Sequence, residues 1–314
     1  MRRQALTRRR FGFARNDPEP VVAYASGLRP PNPLAIARCS NSITNFHFAF
    51  FNFQFSFLIV NLVVLGSGTS VFHPRRASAG FWLETENGSV LLDCGADVPH
   101  RMAAENLDWM NLDAIWISHL HLDHCGGLAP FLFGLRHAPG IEQRAKALKI
   151  FACEGVEKLL RAIDESHNYK LFQQRFPIEI QELSAGERKS FEMIAGLQAE
   201  TFPTPHRRES LAIRLTHADK TIVYTSDTGY SDAVAQFSRG ADLLILECSF
   251  YHDKPIATHL ELAEAMRMAQ IAEPRALVLT HLYPEWDAVD LGAAAEKLWS
   301  GKTIAARDGL RLEV

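Results

Sequence analysis

Beyond residue 58 the chain alternates short apolar runs with turn-forming polar stretches. The runs at 59–65, 80–85, 89–92, 114–118, 149–152, 211–216, 221–225, 243–246 and 276–279 have strand length. Several are apolar throughout, as strands covered on both faces are. Two other segments carry a helical period: Val156, Leu159, Leu160 and Ile163 fall at i, i+3, i+4 and i+7, and so do Leu262, Ala265, Met266 and Ala269. Strands interleaved with amphipathic helices predict an α/β class, with the helices packed on sheets.

Residues 1–57 follow another pattern: an arginine-rich start, a proline-rich stretch at Arg29-Pro30-Pro31-Asn32-Pro33, and phenylalanines at every second position from Phe46 to Phe50 and again from Phe51 to Phe57. Thr7-Arg8-Arg9-Arg10-Phe11 looks like a twin-arginine export signal, but charges and prolines fill the place of the apolar region that should follow. The stretch from Phe46 to Leu65 is about membrane length, yet Asn52, Gln54, Ser56 and Asn61 interrupt it. Residues 1–57 therefore read as a poorly ordered extension or a mis-assigned start, and residues 58–314 as the catalytic domain. No membrane span is expected.

Composition narrows the class. With 47% hydrophobic and 22% charged residues the chain reads as a globular protein. Its five cysteines form no C-x-x-C pair, which argues against a disulfide framework or a zinc ribbon and makes the reducing cytoplasm the expected compartment. Eight arginines against Asp17 and Glu19 put residues 1–57 at +6, so the rest carries -9 of the net -3. An acidic catalytic region offers no broad attraction to a polyanion, and no stable nucleic-acid partner is expected.

The polar residues that end the apolar runs carry the chemistry. Asp93, His119, Asp227, Glu247 and His281 each follow a strand-like run. Ligand sites of open α/β sheets lie outside the carboxyl ends of strands, so these runs deliver metal-binding groups to one crevice. In His119-Leu120-His121-Leu122-Asp123-His124 the two imidazoles two apart can face one ion, and Asp123 and His124 a second. His206, Asp227 and His281 supply further ligands, with Asp227 the natural bridge. Imidazole and carboxylate suit zinc, which keeps a position open for water in catalytic sites. Gly126 and Gly127 allow a tight turn after the run.

On these residues the chain resembles the metallo-β-lactamase fold superfamily, and within it the ribonuclease Z-like branch. The resemblance covers residues 58–314. Besides the histidine run it rests on Leu65-Gly66-Ser67-Gly68-Thr69, Leu91-Leu92-Asp93-Cys94-Gly95, Pro205-His206, Ser226-Asp227-Thr228, Glu247-Cys248-Ser249-Phe250, His259 with Glu264-Ala265, and Leu279-Thr280-His281. It implies an αββα four-layer sandwich, with two mixed sheets flanked by helices. It also implies two divalent ions, zinc with manganese or iron as alternatives: His119, His121 and His206 on one, Asp123, His124 and His281 on the other, Asp227 between them, and Asp93 orienting ligands. His259 would protonate the leaving oxygen, with Glu247 orienting it, and a homodimer would be the assembly.

Two departures from the family narrow the substrate. Ribonuclease Z carries an arm that holds tRNA between the segments matching His206 and Asp227, where this chain has room only for two strands. Between Asp227 and His281 there is no room for the helical cap of related nucleases. Zinc β-lactamases commonly have cysteine at the position matching Asp227, so the aspartate favours phosphodiesters.

Other features receive plainer readings. Gly66-Ser67-Gly68 is a turn, since Phe72-His73-Pro74 follows it where a phosphate loop needs a helix. Arg207 and Arg208 read as a solvated loop, and Cys94, Cys125 and Cys248 as buried fillers. Thr258 and Glu261 form a capping-box pattern that places His259 in the first turn of a helix.

The expected function is a binuclear phosphodiesterase or nuclease related to ribonuclease Z, acting on a small phosphodiester or nucleic-acid substrate. Metal-bound hydroxide is the nucleophile, Asp123 assists as base and His259 as acid. The alternatives are hydrolysis of a thioester, lactone or lactam on the same centre, and true tRNA 3′ processing.

Overall fold

The computed structural model describes residues 60–314; residues 1–59, and with them the arginine-rich start and the aromatic run, lie outside the described residues. The strands, in chain order, are β1 (Asn61–Gly66), β2 (Gly80–Thr85), β3 (Gly88–Leu92), β4 (Ala114–Ile117), β5 (Leu148–Cys153), β6 (Ile178–Leu183), β7 (Lys189–Ile194), β8 (Leu197–Pro203), β9 (Leu211–His217), β10 (Lys220–Tyr224), β11 (Leu243–Glu247), β12 (Ala276–Thr280), β13 (Thr303–Ala305) and β14 (Arg311–Glu313). They form two seven-stranded mixed sheets, ordered β14-β1-β2-β3-β4-β5-β6 and β13-β12-β11-β10-β9-β8-β7. The helices are α1 (Val98–Ala104), α2 (Leu122–Cys125), α3 (Leu128–His137), α4 (Val156–His167), α5 (Asp232–Phe237), α6 (Leu262–Ala272) and α7 (Leu291–Glu296).

Alternation along single strands decides which layer each side chain joins. On β11, Leu243 and Ile245 pack into the core shared with Trp116, Val90 and Phe81 of the first sheet, while Leu244 and Leu246 pack against Met266 and Ala269 of α6 and Leu291 of α7. On β12, Val278 joins the first group, and Leu277 and Leu279 the second. These strands are apolar throughout because both faces are covered. Met102 of α1, Leu132 and Leu135 of α3 and Leu160 of α4 cover the first sheet. The result is the four-layer α/β sandwich that the resemblance implied. No helix among the described residues is long and apolar enough to cross a membrane.

The nine strands expected from sequence correspond to β1–β5 and β9–β12, with ends that differ by one or two residues. Five strands went unread: β6, β7, β8, β13 and β14. Four of them are sheet edges. Charged residues interrupt β6 and β7, whose faces are only half covered, and β13 and β14 have three residues each. The two amphipathic segments are α4 and α6. The remaining helices are either too short to show a period or, like α3, apolar on several faces.

The boundary at residue 58 is our proposal for the catalytic domain. A chain beginning at Leu58 is expected to fold and hydrolyse substrate at the full-length rate, measured by circular dichroism and steady-state kinetics. Insolubility or inactivity would place residues 1–57 in the core or at a partner surface.

Candidate metal centre

Parallel pairing of β3 with β4, and of β10 with β11 and β11 with β12, gathers carboxyl ends of strands together. Three of these strands end through a left-handed residue that is not glycine: Asp93 (φ 57°) after β3, Ser226 (φ 55°) after β10 and His281 (φ 58°) after β12. Such conformations cost about 1–3 kcal/mol each and recur where a site imposes them. The amide of Leu211 donates to the carbonyl of Ser118 at 3.2 Å, tying the second sheet to the end of β4.

The histidine run is held from the β3 side. Cys94 N–H donates to the His124 carbonyl at 2.7 Å, and Gly127 N–H to the Cys94 carbonyl at 2.8 Å. This close crossing explains Gly127: a Cβ there would lie 2.2 Å from the Gly95 carbonyl oxygen. Turn flexibility, expected of this glycine from sequence, is not what it supplies: its backbone is ordinary right-handed helical (φ -83°) and space is what excludes a side chain.

Two sets of ligand atoms converge. His119, His121, His206 and Asp227 form one set and Asp123, His124 and His281 another, the atoms within each set lying no more than 4.8 Å apart. Asp227 faces both: Oδ2 is 3.7 Å from His119 Nε2 and 3.6 Å from His206 Nε2, and Oδ1 is 3.2 Å from His124 Nε2 and 3.3 Å from His281 Nε2. The structure thus brings together all seven residues singled out as ligands. A third set of Asp227, His259 and His281 overlaps them, but the closest nitrogen of His259, Nδ1, is already turned to Glu247.

Hydrogen bonds on the far side of the rings decide what these nitrogens offer. His124 Nδ1 donates to Asp93 Oδ2 at 2.7 Å and His206 Nδ1 to the Thr258 carbonyl at 3.0 Å. Ser118 Oγ donates to Asp93 Oδ2 at 2.9 Å, so it accepts from His119 Nδ1 at 3.0 Å. In a neutral ring each Nε2 is then a bare lone pair directed inward. His119 Nε2, His124 Nε2 and Asp227 Oδ1 are buried and have no hydrogen-bond partner among the described residues, although His124 Nε2 and Asp227 Oδ1 lie 3.2 Å apart. Lone pairs facing a buried carboxylate need a cation or a proton between them. These residues therefore fit divalent ions.

Titration behaviour reflects the same crowding. Burial, followed by repulsion from His124, holds His119 well below the usual histidine range, and burial lowers His121 and His206. Burial pulls His124 down too, but Asp227 and Asp93 outweigh it and raise the ring well above that range. Burial would raise Asp123, yet the neighbouring His281 ring and the charge of His124 bring its carboxyl to about 2.

His259 and Glu247 sit beside the second set. His259 Nδ1 lies 3.0 Å from Glu247 Oε1, and the rings of His259 and His281 stack at 5.3 Å. Burial lowers His259, but the hydrogen bond and charge of Glu247 win and hold it at about 8. One expectation is corrected: His259 is not in a helical turn. The capping box joins Glu261 to Glu264 and α6 starts at Leu262, so Thr258 is no cap and His259 lies in the preceding loop. A carboxylate three residues before another carboxylate fills the capping role expected of the threonine. Helix-end polarity therefore has no part in placing His259; Glu247 does that, and Lys254 Nζ holds the His259 carbonyl at 2.8 Å.

Sequence reasoning missed several polar neighbours. Tyr224 donates its hydroxyl to Asp93 Oδ2 at 2.8 Å, and Ser118 and Ser249 contact both a carboxylate and a histidine. Their one sequence signal is position, since each lies within three residues of a strand-end group. Cys94, Cys125 and Cys248 are buried, and burial pushes Cys125 up to about 11, so they behave as inert fillers rather than thiolates. Arg207 and Arg208 are exposed beside His206.

The sequence profile of the family described as "Anti-Pycsar protein Apyc1" matches residues 60–297. The chain is 30% identical to "Probable metallo-hydrolase YhfI" of Bacillus subtilis (strain 168), over 80% of this chain and 98% of that one. It is 25% identical to a ribonuclease Z of Archaeoglobus fulgidus, over 82% and 98%. The crystal structure of B. subtilis YhfI, a metallo-β-lactamase fold protein, superposes with a TM-score of 0.68 at 26% identity, covering 82% of this chain and all of the other.

Proposed function

The chain belongs to the anti-Pycsar protein Apyc1 family and is a metallo-hydrolase with the metallo-β-lactamase fold, and from that premise we propose that it is a binuclear phosphodiesterase acting on small phosphodiesters. The observation that carries this reading is the His259–Glu247 pair, 3.0 Å apart, set beside two converging ligand sets that share Asp227. A histidine poised next to a metal centre suits a leaving group that needs a proton, as an alkoxide does.

His119, His121 and His206 would hold one ion, Asp123, His124 and His281 the other, and Asp227 would join them. Zinc fits this donor set, and manganese or iron are the alternatives. Bound there, the ions supply Lewis acidity that polarises phosphoryl oxygens and brings the ionisation of water toward neutral pH. Asp93 holds His124 directly and His119 through Ser118, keeping their Nε2 atoms on the centre. Asp123 can take the proton of the attacking water through its carboxylate. His259, oriented by Glu247 through Nδ1, would give the departing oxygen a proton. The buried cysteines are free thiols, which suits a reducing cytoplasm.

Only the hairpin β9–β10 fills the interval between His206 and Asp227, which leaves no arm to grip a folded RNA. The test is a panel of an aryl phosphodiester, a cyclic nucleotide, precursor tRNA, a thioester, a lactone and a β-lactam. Turnover is expected on the small phosphodiesters and should be poor on precursor tRNA. Efficient 3′ processing of precursor tRNA at low enzyme concentration would make this a ribonuclease Z. Turnover confined to the thioester, lactone or β-lactam would move the chemistry to carbonyl carbon.

A further inference from the structure

Ser249 lies two residues past Glu247, is fully buried, and has no part in the reading above. Its hydroxyl oxygen is 2.6 Å from Glu247 Oε2, 3.0 Å from His281 Nδ1 and 3.4 Å from His259 Nδ1. A hydroxyl has one proton to give. Glu247 accepts at both oxygens: Oε1 from Thr228 N–H at 2.7 Å and His259 Nδ1 at 3.0 Å, Oε2 from Leu260 N–H at 3.1 Å and from Ser249. An acceptor so occupied is an ionised carboxylate, and the shortest contact takes the serine proton. Only lone pairs remain on Ser249 Oγ. His281 Nδ1 must therefore carry a proton and donate it, which leaves Nε2 facing Asp123 Oδ2 and Asp227 Oδ1, each at 3.3 Å.

The other sheet contains the same arrangement. Ser118 donates to Asp93 and accepts from His119 Nδ1, with distances of 2.9 and 3.0 Å. A serine thus stands between a buried carboxylate and a histidine of each ligand set. The two histidines sit after β4 and β12, where no backbone carbonyl or carboxylate is bonded directly to their Nδ1 among the described residues.

We infer that Ser249 is a positioning residue that fixes the tautomer and orientation of His281, so that the single carboxylate Glu247 orients both the proton donor His259 and a metal ligand. The inference rests on the binuclear reading. It separates two duties of Glu247: the direct bond to His259 serves proton transfer, and the bond relayed by Ser249 serves metal binding.

The experiment measures zinc affinity of the full chain by competition with a chromophoric chelator, alongside nitrogen-15 spectra of the zinc-loaded histidines. Wild type should bind two ions. Ser249→Ala should bind one of them as wild type does and the other about 10- to 100-fold more weakly, the usual cost of losing a ligand's orienting partner. The His281 Nδ1–H signal should be present in wild type and lost to exchange in Ser249→Ala. Ser249→Thr, which keeps the hydroxyl, should restore both. Ser118→Ala should weaken the other ion and remove the His119 signal instead. Wild-type affinities in Ser249→Ala within twofold, with the His281 signal retained, would overturn the inference and leave the binuclear reading standing. Equal weakening of both ions together with a lowered Tm would overturn it in favour of a structural role. Failure of wild type to bind two ions would remove both readings at once.

Discussion

Replacing Asp227 by alanine is expected to strip both ions from the protein and to reduce phosphodiester turnover by more than about 10³-fold, well beyond the 10- to 100-fold that loss of an orienting partner costs. Asp227 is buried, and its two oxygens face nitrogens of both ligand sets at 3.2 to 3.7 Å. Without that carboxylate, imidazoles that are otherwise neutralised face one another across the site. His206→Ala removes a ligand from one set only, so it should keep the ion held by Asp123, His124 and His281. Elemental analysis of the two variants after gel filtration separates the cases. Equal metal loss in both would mean that Asp227 is no bridge.

The second large effect concerns His259. If it protonates the leaving oxygen, His259→Ala should retain metal and fold while losing about 10²- to 10⁴-fold in kcat, the range of general acid catalysis. The loss should be large on an alkyl or nucleoside phosphodiester and small on a p-nitrophenyl one, because a phenolate needs little protonation to depart. Equal losses on both substrates would assign His259 to phosphate binding. Loss of metal would make it a support of the centre, in line with the overlapping set it forms with Asp227 and His281.

Much of the site was legible because its residues interrupt apolar strands. A carboxylate or imidazole at the end of Leu91-Leu92 or Leu277-Val278-Leu279-Thr280 has no place in a dry core unless something neutralises it, and that mismatch is visible in one dimension. The residues that aim these groups were harder to see. Ser118, Ser249 and Tyr224 are common types whose roles arise only when neighbouring strands, or for Tyr224 the two sheets, bring distant segments to about 3 Å of one another. His259 shows the limit of local pattern: Thr258 and Glu261 resemble a cap, but the helix starts at Leu262 because Glu261 and Glu264 close the box. The unread strands failed for a related reason. β6 and β7 lie at sheet edges where half the side chains meet solvent, so their charges mask the strand period.

The binuclear centre is tested most directly by one titration: hydrolysis of an aryl phosphodiester by chelator-stripped wild-type protein as zinc or manganese is returned in measured equivalents. Activity should be absent at the start and should rise to a plateau at about two equivalents per chain, as the two ligand sets require. Full activity in the stripped protein, a plateau at one equivalent, or no recovery with either metal would contradict it.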